Sequence, residues 1–164
     1  MHWRPVVTTA VFLIAGTIAP ARARAQNAIA PFVGREFDEA QNWIVFGGEG
    51  RIGLPPSAWS INPRFTYHSL GSGFSAIQID ANAVYDFKPA SGPVTPFAGA
   101  GLGWVHASGG GTSDSKIAGT FVAGLRLHLA GNDRIEPYLN TEYTFAKQFT
   151  NTYDMLVGLM FRMK

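Results

Sequence analysis

The chain has 164 residues, of which 46% are hydrophobic, 15% are charged and none is cysteine, and its formal net charge is +2. The charged fraction is below the ~25% that is typical of soluble domains. The lack of cysteine excludes disulfides and a lipid anchor on an N-terminal cysteine, and singly scattered basic residues argue against nucleic-acid binding.

Residues 1–25 have the pattern of a secretory signal peptide. Arg4 supplies positive charge, Val6–Ala19 is mostly apolar, and Ala23-Arg24-Ala25 is an A-x-A cleavage site. The alternative is an uncleaved membrane anchor, for which the apolar run is short because a span needs about 20 residues. Cleavage would leave a domain over 26–164 with 10 Lys and Arg against 11 Asp and Glu, so the positive net charge belongs to the leader.

Eight segments after the leader alternate apolar with polar or small side chains at a period of two, which predicts β-strands. They span residues 29–37, 42–54, 58–68, 74–88, 94–107, 115–130, 134–147 and 152–163. Nearly all reach the ~9–11 residues of a tilted membrane-spanning strand, and eight is the smallest size of single-chain outer-membrane barrels. We therefore predict an all-β fold, an eight-stranded antiparallel up-and-down transmembrane β-barrel.

The connecting segments divide into two groups that lie at opposite ends of such a barrel. Short, turn-rich connections at 54–57, 88–93 and 130–133 share one end, which we assign to the periplasm. The connections at 38–41, 69–73, 106–115 and 147–151 then share the outer end. The glycine- and serine-rich stretch 107–115 is predicted to be the longest loop.

Six of the charged side chains on the polar faces of these segments, Asp86 on its polar face not among them, all point the same way. They are Glu49, Arg51, Arg64, Asp80, Arg126 and Glu142. Facing lipid, each arginine would cost about 2–4 kcal/mol near the midplane, and the six together would exceed a typical net stability of about 5–15 kcal/mol. We expect them to face inward and pair, because an unpaired buried charge is costly, and to fill a narrow polar lumen that does not conduct. The alternative function for these charges is an ion or proton path.

Small and aromatic residues add two expectations. Gly99, Gly101 and Gly103 share one face of their segment, which makes room for bulky inward neighbours such as Arg64 or Arg126. Aromatic residues near segment ends fit the interfacial girdles of a membrane barrel. They are Trp43, Trp59, Trp104, Tyr67, Tyr85 and Tyr153.

The segment Pro93–Trp104, with Ile135–Leu139 and Met155–Phe161, resembles the small outer-membrane β-barrel family of opacity-like and OmpA-like proteins over about residues 28–164. The resemblance implies export to the outer membrane of a Gram-negative-type bacterium and contact with outer-membrane lipid and lipopolysaccharide. It also implies insertion by the barrel-assembly machinery, which in this family usually reads a terminal aromatic residue; here three residues follow Phe161. The role it implies is structural or surface-interacting, with an unidentified surface partner.

Two other functions stay open. His106 and Ser108 share a strand face near Asp114, which resembles the His-x-Ser pair of lipid A 3-O-deacylases. In those enzymes the pair lies on the second-last strand, where this chain has Glu142-Tyr143-Thr144. A soluble periplasmic ligand-binding barrel is the other alternative.

The motif search predicts no catalytic, cofactor or metal site. The histidines at 68, 106 and 128 do not have metal-ligand spacing. Neither a phosphate-binding loop nor a dinucleotide fingerprint is present.

Overall fold

A computed structural model of the chain describes residues 27–37, 42–71, 73–87, 92–132, 134–146 and 151–163. The predicted signal peptide lies outside these residues. Eight strands form: β1 Ala28–Phe37, β2 Asn42–Gly53, β3 Trp59–Ser69, β4 Ser75–Asp86, β5 Val94–Gly109, β6 Thr112–Leu127, β7 Ile135–Ala146 and β8 Thr152–Arg162. Among the described residues, no helix has the length and apolar character needed to cross a membrane.

The strands close into a barrel in which each pairs with its neighbours along the chain and β8 pairs with β1. Every pairing is antiparallel. The prediction of an eight-stranded antiparallel barrel is therefore confirmed, including the first strand, which pairs on both sides. Closure leaves no unpaired sheet edge, as a membrane-spanning sheet requires.

The stretch predicted as a long outer loop is mostly strand. β5 runs to Gly109 and β6 starts at Thr112, and the pairing continues to Gly109↔Thr112. Gly110 and Gly111 have φ of 59° and 81°, so they form a two-residue turn that needs positive φ at both positions. The predicted loop at 107–115 is thus corrected to a hairpin, because paired glycines allow the strands to continue to a tight turn.

The exterior of the barrel is apolar and its interior is mostly polar. Leu102 and Ile117 are 70% and 71% exposed, and large apolar side chains are exposed on all eight strands. Buried positions alternate with them and carry serine, threonine, asparagine, glutamine and charged residues. This is the reverse of a soluble ligand-binding barrel, which keeps its apolar face inside.

Aromatic rings cluster at both ends of the strands. At the end of the 54–57 connection, Trp59 packs against Tyr85 with ring centroids 5.1 Å apart. At the other end, Phe46 packs against Tyr67 at 5.1 Å, and Phe37 lies 6.2 Å from Tyr153. The two clusters stand where interfacial girdles lie in membrane barrels.

Candidate functional site

The candidate site is the polar interior, and the structure places all six predicted charges there, each at most 9% exposed. Three of them meet in the middle of the barrel. Arg64 on β3 donates from Nε and Nη2 to Glu49 Oε2 on β2, at 3.1 and 2.6 Å. Its Nη1 donates to Glu142 on β7. In a ring of eight strands β3 and β7 are opposite walls, so this cluster spans the lumen.

Asp80 lies opposite Arg64 in the β3–β4 register, but its carboxylate accepts hydrogen bonds from side-chain amides. It accepts from Gln78 Nε2 at 3.2 Å and from Asn82 Nδ2. Gln78 also donates to Glu142 at 2.8 Å. These amides connect Asp80 to the central cluster.

The other two predicted arginines meet nearer the end of the barrel that holds the 54–57 connection. Arg51 and Arg126 each donate to one oxygen of Asp86 at the end of β4. Asp86 lies on the predicted polar face but was absent from the predicted charge set. Two guanidiniums therefore share one carboxylate, and the predicted acids do not pair with these two bases.

Sequence reasoning missed several further buried groups at the two ends of the interior. At the end that holds the 54–57 connection Glu136 pairs with Arg162 and with His128. At the opposite end His68 lies beside Glu36 and Asp154. The period-two pattern marks each of these positions as inward, so extending it to every charged residue would have found them.

Two inward aromatic side chains, also missed, support the arginines. The guanidinium of Arg64 lies 5.4 Å from the Phe32 ring centroid, and that of Arg126 lies 5.1 Å from the Phe97 ring centroid. Each distance is within the ~6 Å range of a cation–π contact.

Each of these two rings lies against a glycine of the next strand. A Cβ atom at Gly47 would stand 2.7 Å from Phe32 Cζ, and one at Gly124 would stand 2.5 Å from Phe97 Cζ. The glycines therefore provide the space in which the rings lie flat on the barrel wall.

The glycines of β5 make room for β4 and not for the arginines that the sequence suggested. A Cβ at Gly101 would lie 2.4 Å from Asn82 Oδ1, and one at Gly103 would lie 2.6 Å from Asp80 Cβ. At Gly99 the nearest side chain is Val84. Inward side chains of β4 lean over β5, which explains why this strand needs small residues.

The residues of the candidate catalytic pair do not bond to each other. His106 Nδ1 lies 2.8 Å from Ser115 Oγ, its partner across the hairpin, whereas Ser108 Oγ lies 3.4 Å from Ser75 Oγ. Lys116 lies 3.0 Å from Asp114. The hydrogen bond from Lys116, with that from the backbone N–H of Ser115, lowers the pKa of Asp114 below its usual value. The geometry therefore does not assemble the predicted pair of His106 as base and Ser108 as nucleophile.

No protein-family model matches the sequence, and comparison with curated proteins finds no match. Solved structures do match. Neisserial surface protein A is 16% identical with a TM-score of 0.65, covering 84% of this chain and 96% of that one. The N-terminal β-barrel domain of Pseudomonas aeruginosa OprF is 14% identical with a TM-score of 0.66, covering 85% and 98%.

The outer membrane enzyme PagL is also similar, with a lower TM-score. It is 15% identical with a TM-score of 0.56, covering 83% of this chain and 99% of that one. Since proteins of different roles share this architecture, the similarity does not identify an activity for this chain. What the match establishes is the fold: the chain has the architecture of the small eight-stranded outer-membrane β-barrels.

Proposed function

We propose that the chain is a non-conducting outer-membrane barrel that acts at the cell surface through its β5–β6 hairpin. The observation that carries the first part is the bridge from Glu49 and Arg64 to Glu142, which joins opposite walls of the lumen. Gln78 on β4 donates to Glu142 on β7 at 2.8 Å and adds a second link across the lumen. An eight-stranded interior is just wide enough for side chains to fill, so these crossings favour a closed tube.

The proposed location follows from the exterior. Its apolar belt and terminal aromatic clusters suit a bilayer, and export through cleavage of residues 1–25 and insertion by the barrel-assembly machinery are parts of the same proposal. Arg35 is exposed on the outward face of β1, two residues from its outer end. A guanidinium at that level suits the phosphate groups of lipopolysaccharide.

The surface role is proposed from the hairpin. Among the described residues, β7 pairs with β6 only from Ala118 onward, so the segment 112–117 extends past the paired part of its neighbour. Thr112, Ser113, Asp114 and Ser115 are exposed there. A paired, polar projection of this kind is suited to contacting a surface partner.

Site-specific labelling tests the orientation on which the surface role depends. The chain has no cysteine, so each single variant has one thiol at a known position. Thr112→Cys reports the location of the hairpin, and Ser57→Cys reports that of the 54–57 connection. A membrane-impermeant maleimide added to intact cells should label Thr112→Cys, and should label Ser57→Cys only after lysis. Labelling of Ser57→Cys alone in intact cells would overturn the proposal.

Conductance in a planar bilayer tests the closed lumen. The inserted barrel should give no discrete channel steps under conditions in which a known porin does. Steady unit conductance from the wild-type barrel would contradict a non-conducting role and favour the ion path. The catalytic alternative gains no support from the His106 geometry, and we do not propose it.

A further inference from the structure

The outer end of the interior holds a buried cluster of two acids and one histidine. Glu36, His68 and Asp154 are 5%, 3% and 1% exposed. Each offers one ligand atom, and these atoms lie within 4.8 Å of one another. The residues come from β1, β3 and β8, which are far apart along the chain but neighbour one another around the barrel through β1–β2–β3 and β8–β1 pairing.

Negative charge is in excess at this cluster. Among the described residues, seven carboxylates are buried in the interior against three buried arginines. The arginines and the half-buried Arg162 pair with Glu49, Asp86, Glu136 and Glu142. The acids at Glu36 and Asp154 have no arginine among those pairs, although burying an uncompensated charge is expensive.

Two polar atoms in the cluster lack hydrogen-bond partners among the described residues. They are Nε2 of His68 and Oδ1 of Asp154. Buried polar atoms normally have a protein or water partner, so these two atoms are available to a ligand. A cation would satisfy both, because a neutral imidazole nitrogen and a carboxylate oxygen are lone-pair donors.

The third residue orients the histidine. His68 Nδ1 lies 2.5 Å from Glu36 Oε2. An ionised carboxylate only accepts, so Nδ1 donates to Glu36, and in the neutral imidazole the lone pair is then on Nε2. A carboxylate that holds the far nitrogen of a histidine is the common second partner of metal-binding imidazoles, since it fixes the tautomer and raises the basicity of the ring.

We propose that His68 Nε2 and the Asp154 carboxylate bind a divalent first-row transition-metal ion, with Glu36 orienting His68 and balancing the ion's charge. Mixed imidazole and carboxylate ligands suit Zn²⁺, whereas Mg²⁺ and Ca²⁺ prefer oxygen alone. The side chains would have to converge on the ion to reach zinc bonds of about 2.0–2.2 Å. Water would complete the coordination. His68 and Glu36 are next to last in their strands, so the site lies just inside the outer mouth.

Zinc and cobalt titration of the purified, folded protein tests the site. Wild type should bind one ion, with a tetrahedral cobalt absorption spectrum. His68→Gln and Asp154→Asn should abolish stoichiometric binding, and Glu36→Gln should weaken it about 10- to 100-fold. His106→Gln is the matched control, because it removes an exposed imidazole near an acid, and it should bind as wild type does.

Metal binding by the wild type and by the variants distinguishes a metal site from a buried histidine that is protonated and binds no ion. Binding that persists in His68→Gln, or no binding by folded wild type, would overturn the proposal. If the variants do not fold, Co²⁺ bound to wild type decides the matter by NMR. It should shift the ring protons of His68 and leave those of His106 in place, and the reverse result would refute the site.

Discussion

Arg64 is the residue on which the closed interior most depends. It is 4% exposed, donates to two carboxylates on different strands and lies over the Phe32 ring. Its charge is therefore compensated on two sides within a dry core. Removing it would leave two buried anions facing each other, which costs far more than the ion pairs contribute net.

Arg64→Leu should lower the free energy of unfolding by about 3–5 kcal/mol, the range for breaking a buried ion pair. The measurement is urea unfolding of the barrel in lipid vesicles, followed by tryptophan fluorescence. Neutralising the two acids as well, in Arg64→Leu/Glu49→Gln/Glu142→Gln, should recover most of the loss. A single variant as stable as wild type would show that Arg64 does not hold the interior together.

Gly101→Ala should destabilise the barrel by about 1–3 kcal/mol, the usual cost of overpacking. The added Cβ would lie 2.3 Å from the Ala81 carbonyl oxygen and 2.4 Å from Asn82 Oδ1. Gly48→Ala is the control, since its Cβ would meet only the Ala30 carbonyl at 3.7 Å. Equal stability of the two variants in the same unfolding assay would contradict the close approach of β4 to β5.

Within a strand, the alternation assigns one face to lipid and the other to the lumen. On β7, Leu139 is exposed whereas Asn140 is fully buried. Leu139 also lies opposite the exposed Leu125 of β6. A charge introduced on this face near the midplane would have to leave water without gaining a partner.

Leu139→Arg should therefore destabilise the inserted barrel by about 2–4 kcal/mol, and Leu129→Arg by about 0–1 kcal/mol, because the cost depends on depth. Leu129 follows the end of β6, beside the turn at Gly131. Vesicle unfolding measurements give both values. If Leu139→Arg cost no more than Leu129→Arg, the assignment of the lipid face would be wrong.

The projecting end of the β5–β6 hairpin is expected to be dispensable for folding of the barrel. Replacing residues 108–113 by Asn-Gly keeps the pair Ala107↔Asp114 next to a favourable two-residue turn. Unfolding free energy should fall by only about 1 kcal/mol, since the change removes the Ser75–Ser108 contact and the packing of Phe74 on Gly109 but no inward charge. Loss of folding, seen in the same assay, would show instead that the hairpin is needed to close the barrel.

At the scale of the whole molecule, closure makes every strand depend on both of its neighbours. Strand pairing runs without interruption from β1 to β8 and back to β1. Local opening therefore cannot spread from a free edge, and detergent must break the ring to unfold it.

The protein in the outer-membrane fraction should consequently migrate differently on SDS gels before and after boiling. The compact unboiled form should shift to the position of the unfolded chain on heating. Recovery in the soluble periplasm, with no shift, would contradict an inserted barrel. A shift in a different membrane fraction would retain the fold and refute the proposed location.

Much of this architecture was predictable from the sequence because alternation is local. The run 74–88 already separates Ile77 and Ile79 from Gln78 and Asp80. In the structure the two isoleucines are more exposed than Gln78 and Asp80, which are buried. The hairpin was not predicted, since Gly110 and Gly111 suit a flexible loop as well as a tight turn. The arginine partners were not predicted either, because pairing across the lumen depends on strand register.

The sequence by itself determined the number of strands and the inward face of each, because alternation with a period of two is a property of consecutive residues. Only the tertiary structure decided which inward groups meet. Asp86 between Arg51 and Arg126, and His68 beside Glu36 and Asp154, join residues from separate strands. Barrel closure and stagger bring them together, and these are properties of the whole ring that no local pattern contains.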